Sequence, residues 1–326
     1  MIKTLLFFVL ALTLSMLILG GCGSSCSGTS TSITANLIAF FSGRSGGSGG
    51  DDVLLYSLKN NTLVSIPGIN SSSNDQGAHV SPDGRYIAFQ SNRTPSTGDG
   101  DYDIYLYDRT TNSLVSLPGI NSTVNDVSPC LSTNASFIVF TSYVNENADV
   151  LLYDRTAGHL VSTPGLNSGS DDYDPFISPD GRWIVFESNR SGGAGNADLY
   201  LYDRNTSSLV ALPGLNSSAN DMTPSISADG NLIAFASDRP GGAGDNDIYL
   251  YNRSTSSLVA LPGLNSAAGE WDTEISPDGR YIAFTDYNRT GGLGSWDIYV
   301  YDRNTSSLLS TPSLNSSSND ELRAVD

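Results

Sequence analysis

One stretch, ISPDGRWIVFESNRSGGAGNADLYLYDRNTSSLVALPGLN at residues 177 to 216, recurs with variation through almost the whole of the 326-residue chain. Ser81, Ser132, Ser178, Ser227 and Ser276 fall in one column, spaced 51, 46, 49 and 49 residues apart, and a sixth copy opens at Asn36. A period of this length confines the chain to architectures in which each copy is one supersecondary unit packed against the next.

Each copy carries an apolar run (Leu37–Phe41, Tyr86–Phe89, Phe137–Phe140, Trp183–Phe186, Leu232–Phe235, Tyr281–Phe284), then a loop rich in Gly, Asp and Asn. A second run of the form DIYLYDR and a third of the form SLVSLPG complete it. Short runs rich in Ile, Val, Tyr and Phe, separated by Pro-Asp-Gly or Gly-rich turns, are the signature of strands and hairpins. No stretch has a helical period. The runs are apolar on both faces, so each small sheet needs cover on both sides, which stacked neighbours supply. A fourth strand lies ahead of each Ser, in AHVS, PCLS, PFIS, PSIS and TEIS. Four strands in roughly 49 residues is the size of one β-propeller blade, whereas a β-helix repeats at about half that length.

The two ends set the blade count. No segment like PFIS precedes Leu37, while the chain ends in SSSNDELRAVD, with Asp320 in the column of Asp75 and Ala324-Val325-Asp326 in that of His79-Val80-Ser81. The expected fold is therefore all-β, a six-bladed β-propeller closed by pairing the C-terminal strand with the N-terminal blade. It would span residues 36–326, with blades at about 36–69 plus 322–326, 78–120, 128–166, 174–215, 223–264 and 272–314. Closure removes the free strand edges that invite aggregation.

SPDGRYIAF, SNR and DIYLYDR, with their copies, resemble the WD-like propeller repeats of the TolB family over about residues 36 to 326. The resemblance implies the propeller fold and, for function, a binding or protein–protein interaction scaffold in the bacterial cell envelope. The small α/β domain that precedes the propeller in TolB is not found in this sequence, so TolB's own partners do not carry over.

Met1 to Lys3 is a short positive start and Thr4 to Gly21 an apolar segment ending in small residues, the pattern of a secretory signal at 1–21. Leu19-Gly20-Gly21-Cys22 resembles the lipobox of bacterial lipoproteins, which implies acylation of Cys22 and a protein held on a membrane without crossing it. Residues 22–35, mostly Gly, Ser and Thr, read as a flexible tether. Gly23 rather than Asp after the Cys points to the outer membrane, facing the periplasm or the cell surface.

With 34 acidic against 16 basic residues the formal charge is −18, which repels phosphate backbones and excludes nucleic acid as an expected partner. The arginines recur blade after blade, as framework residues do. Arg93, Arg190, Arg239 and Arg289 are expected to pair across a hairpin with Asp103, Asp198, Asp247 and Asp297.

Function is sought where the copies differ. The position before the repeated aliphatic of the inner strand reads His79, Cys130, Phe176, Ser225, Glu274 and Ala324, with Arg323 one place earlier. His79, Glu274 and Arg323 are the ionisable members, from blades 2, 6 and 1, and suggest a small polar site in the central channel. Cys130 reads as a small buried hydrophobe. The loop entering each inner strand holds one carboxylate per blade: Asp75, Asp126, Asp172, Asp221, Glu270 and Asp320. Converging at the channel mouth these would recruit a hard cation such as Ca2+; alternatively each caps its own turn.

Enzyme signatures are thin. Gly43-Arg44-Ser45-Gly46-Gly47 fits G-x-S-x-G without the following helix that gives that motif its chemistry, and His159 falls in an outer hairpin. The expectation is a monomeric binding propeller for an envelope protein or small ligand. A small-substrate hydrolase or lyase with Glu274 or His79 as acid/base is the alternative.

Overall fold

Six four-stranded antiparallel sheets account for the six copies of the repeat. The computed structural model describes residues 37–93, 101–144 and 147–322; the 1–21 leader, Cys22, the tether and Arg323 lie outside the described residues. In blade 4 the inner strand is Asp172–Ile177, the second Trp183–Ser188, the third Asp198–Asp203 and the outer Ser208–Val210. The other blades repeat this plan, the outer strand being only two or three residues long throughout.

Blade 1 takes three strands from the start of the described chain, Leu37–Ser42, Asp52–Ser57 and Thr62–Val64, and its inner strand from the end, Asp320–Glu321. The closing pairs are Ser42 with Asp320 and Phe41 with Glu321. The ring closes as the sequence implies, but the pairing starts at Asp320, ahead of the expected 322–326 segment, of which only Leu322 is described. Leu322 is buried with Ile38, Phe40 and Val300, and its N–H donates to Thr285 Oγ1 at 3.2 Å.

Every blade places one Phe (40, 89, 140, 186, 235, 284) and one Tyr (56, 107, 153, 202, 251, 301) fully inside the core. Each buried ring contributes about 2 kcal/mol through removal of its apolar surface from water, but a buried phenol also needs a partner. The Tyr hydroxyls find one in the preceding blade. Tyr107 donates to the Pro67 carbonyl at 2.7 Å, Tyr153 to Pro118 at 3.0 Å, Tyr202 to Pro164 at 3.2 Å, Tyr251 to Pro213 at 2.8 Å and Tyr301 to Pro262 at 2.9 Å. The Asn of each LPGLN segment works within its blade: Asn265 accepts the N–H of Ile248 at 3.0 Å and donates to its carbonyl at 3.1 Å.

The five complete inner strands share a β-bulge, located in blade 2 between Gln76 and His79 and in blade 4 between Tyr173 and Phe176. The residue in it has positive φ in every case: Gly77 (55°), Ser128 (51°), Asp174 (47°), Thr223 (46°) and Asp272 (47°). Non-glycine residues in this conformation need compensation, and hydrogen bonds from the preceding blade supply it in three of them. Ser128 N donates to Gln90 Oε1, Asp174 N to Thr141 Oγ1 and Thr223 N to Glu187 Oε2. The bulge bends each strand and re-aims the side chains after it.

Candidate functional site

Those re-aimed side chains are the non-repeating column. His79 and Glu274, from blades 2 and 6, meet with Nε2 and Oε1 3.5 Å apart; Arg323, the third expected member, lies outside the described residues. The N–H of Leu131 donates to His79 Nδ1 at 3.2 Å. In the neutral imidazole the proton then sits on Nε2, the nitrogen that faces both Glu274 and Cys130 Sγ, the latter also at 3.5 Å. Phe176 packs edge-on to the ring with centroids 5.3 Å apart.

The column also stitches blades together. Cys130 Sγ accepts the N–H of Ile177 at 3.4 Å and Ser225 Oγ that of Ile275 at 2.9 Å, so His79, Cys130 and Ser225 each hold a backbone donor of the following blade. Cys130 is buried as expected, and it is an acceptor besides. On one side of the His79–Glu274 pair opens a narrow cavity of about 50 Å3. Val80, Leu131, Ile177, Ile226 and Ile275 line it. A smaller enclosed space bordered by Ser128 and Cys130 shares the same pair.

The carboxylates expected to form a cation ring do not gather. Asp75, Asp126, Asp172, Asp221, Glu270 and Asp320 are all fully buried, each turned into its own blade. Asp75 accepts the Ser71 N–H at 2.6 Å and pairs with Arg93 at 2.5 Å. Asp172 does so with Ser168 and Arg190, Asp221 with Ser217 and Arg239, and Asp320 with Ser316 and Arg44. In blade 6 Arg289 serves both Glu270 (3.7 Å) and Asp286 (2.9 Å); burial, with the neighbouring Asp286 carboxylate, pushes the Glu270 carboxyl up to about 8. Blade 3 has no arginine at this place, and burial raises the Asp126 carboxyl. Among the described residues no three His, Cys, Asp or Glu side chains stand where they could hold one metal ion.

This arrangement corrects the expected arginine pairing. Ser91 lies between Asp75 on one neighbouring strand and Asp103 on the other, so both carboxylates are one strand away from Arg93. The guanidinium stacks on Phe89 and Tyr105, and from there it reaches Asp75 and the Ile69 carbonyl. The aspartates opening the third strand cap their hairpin loops instead: Asp198 accepts from Gly195 N, Asp247 from Ala243 N and Asp297 from Leu293 N.

Sequence reasoning overlooked Glu187, an acid directly after the apolar run Trp183–Phe186, where the other blades have Phe41, Gln90, Thr141, Ala236 or Thr285. It is buried beside Tyr173 and Asp174, and burial together with the Asp174 charge pushes its carboxyl up to about 8. A carboxylate in a column with no other charged residue was the available signal.

Residues 101–322 match the family model of the TolB beta propeller domain. The chain belongs to the TolB β-propeller domain family. Its fold is similar to that of TolB from Acinetobacter baumannii, with a TM-score of 0.65 and 20% identity over 88% of this chain. That alignment spans 66% of the Acinetobacter protein, just under two thirds of its length. A provisional TolB from Agrobacterium tumefaciens aligns with a TM-score of 0.61 and 17% identity, over 84% of this TolB-type chain and 88% of its own. An oligogalacturonate lyase solved in complex with manganese aligns at 0.56 and 12%, over 85% and 74%. At such identities the likeness is one of fold alone. No curated protein matches the sequence of this TolB-type propeller.

Proposed function

We propose that this TolB-type propeller is a binding scaffold of the bacterial cell envelope, lipid-anchored through Cys22, that receives an envelope protein or small ligand at one end of its channel. The observation that carries this reading is the contrast between repeated and unrepeated residues. Repeated arginines, aspartates, tyrosines and asparagines are used up in bonds within and between blades, whereas unrepeated side chains collect at a cavity rimmed by five aliphatics. Rigid frameworks of this kind carry recognition where the frame leaves variation.

Photo-crosslinking from position 226 in the intact envelope tests it. The expected result is a discrete adduct that an Ile177→Asp substitution abolishes, with [3H]palmitate incorporated into the wild type and not into Cys22→Ser. Absence of any adduct would remove the channel mouth as a binding surface. The contact between His79 Nε2 and Glu274 at the cavity supports a second reading, acid/base catalysis on a small substrate. Turnover in a hydrolase and lyase panel that Glu274→Gln abolishes would favour it over the first.

A further inference from the structure

Blade 6 departs from the pattern of the other five. Its inner, second and third strands, Gly269–Ile275, Tyr281–Tyr287 and Trp296–Asp302, are each seven residues long against six elsewhere in the complete blades. The extra residue adds one cross-strand row, in which Gly269 stands opposite Tyr287 and Tyr287 opposite Trp296. Residues directly opposite in a sheet share a face, and so do residues two apart on one strand. Trp271, Tyr287 and Trp296 therefore lie on one face. The ring centroids of Tyr287 and Trp296 are 4.8 Å apart and the planes tilted by 46°. Gly269 makes room for the Trp271 indole, since a Cβ there would lie 3.1 Å from the indole nitrogen. Two of the three tryptophans in the chain, Trp271 and Trp296, lie on this one face of blade 6.

The platform is not turned into the core: Tyr287 is 45% exposed and Leu293, in the adjoining hairpin, 67%. Beside it lies a surface cavity lined by Tyr287 together with Asp245, Ser266, Asn288 and Thr290. Asn288 is fixed at φ 61° by its N–H bond to the Ser295 carbonyl at 2.7 Å, which sets the edge of the cavity. The Arg289 guanidinium at its base is committed to Glu270, Asp286 and the Leu264 carbonyl. The groups left to meet a ligand are thus aromatic faces, hydroxyls, an amide and one carboxylate. Aromatic faces accept the polarised C–H side of a pyranose ring, while amide, hydroxyl and carboxylate groups beside them hydrogen-bond its hydroxyls.

We infer that this face of blade 6 is a binding site for a neutral oligosaccharide, separate from the channel, in which a sugar ring stacks on Tyr287 and Trp296 and is hydrogen-bonded by Asp245, Asn288 and Thr290. Calorimetric titration of the full-length chain in detergent with chitotetraose, cellotetraose and maltotetraose tests the site. Saturable binding of at least one is expected, weakened tenfold or more by Trp296→Ala and by Tyr287→Ala. Thr290→Val, which leaves the aromatic row untouched, is expected to weaken it at least threefold, and Leu293→Ala to leave it within twofold. No saturable binding of any of the three would overturn the inference. So would a loss with Leu293→Ala as large as with Trp296→Ala, which would mark the patch as a surface for an apolar protein segment.

Discussion

Tyr56 Oη donates to the carbonyl of Pro312 at 2.9 Å, across 256 residues of sequence. It is the sixth of the Tyr-to-Pro bonds and the one that fastens blade 1 to blade 6. Removing the hydroxyl leaves a carbonyl without its donor, a loss of about 1 kcal/mol for an ordinary buried hydrogen bond. Tyr56→Phe is expected to lower stability by that amount and to raise amide exchange at Phe41 and Ser42, whose neighbours are Glu321 and Asp320. Tyr202→Phe should cost about the same without loosening the closure. Hydrogen exchange with mass spectrometry separates the two outcomes.

Five buried carboxylates are answered by an arginine and Asp126 is not. Arg190→Ala would strand Asp172 in the core, and breaking a buried pair from one side costs about 3–5 kcal/mol. In contrast, Asp126→Asn keeps an acceptor for the Ser122 N–H and removes a carboxyl whose charged form burial disfavours. It is expected to change stability by less than about 0.5 kcal/mol or to increase it. Urea unfolding at neutral pH measures both.

Glu187 gives the fold a pH dependence of definite sign. Its carboxyl is pushed from 4.5 to about 8 in the folded protein, so the native state binds the proton more tightly than the unfolded chain. Its contribution is then fully present below pH 4.5 and is lost as pH rises to about 8. Glu187→Gln, which retains an acceptor for Thr223 N–H, should flatten that part of the profile and melt higher than wild type at pH 8. Equal slopes for the two proteins between pH 5 and 8 would contradict this.

His79 is expected to appear by 15N NMR as the Nε2–H tautomer, because Nδ1 already accepts the Leu131 N–H. His79→Leu would orphan that donor at a cost of about 1–3 kcal/mol, while His79→Asn can place an oxygen near the former Nδ1 and should cost less. Thermal melts of the two variants decide it.

Much of this was legible in the repeat. Strands, blade count and closure follow from runs such as YIAF and DIYLYDR recurring in fixed order. The meeting of His79 and Glu274 follows from asking which columns vary. Arg93 and its equivalents were harder, because period-2 geometry puts Asp75 and Asp103 equally close to Ser91 and only the stacking on Phe89 and Tyr105 selects between them. Likewise nothing in Ser128, Asp174 or Thr223 announces a positive φ; the bulge that bends the inner strand is tolerated because an adjacent blade holds each amide. The blade 6 extension was written in a single extra residue, Tyr287 between Asp286 and Asn288, and a one-residue insertion reads as loop slack until its partner Trp296 is found opposite.

The Tyr-to-Pro bonds join each wedge only to its immediate neighbour, and the asparagine clasps stay inside one wedge. Nothing in that wiring records where the polypeptide begins. A gene rearranged to start at any of the six wedges, its old ends joined, would preserve every one of these attachments, and the seam now made by Asp320 and Glu321 could migrate around the disc. Such interchangeable segments are what serial duplication of one ancestral unit leaves behind, and they let a single wedge, as the sixth has done, drift toward a task of its own while the others keep the frame.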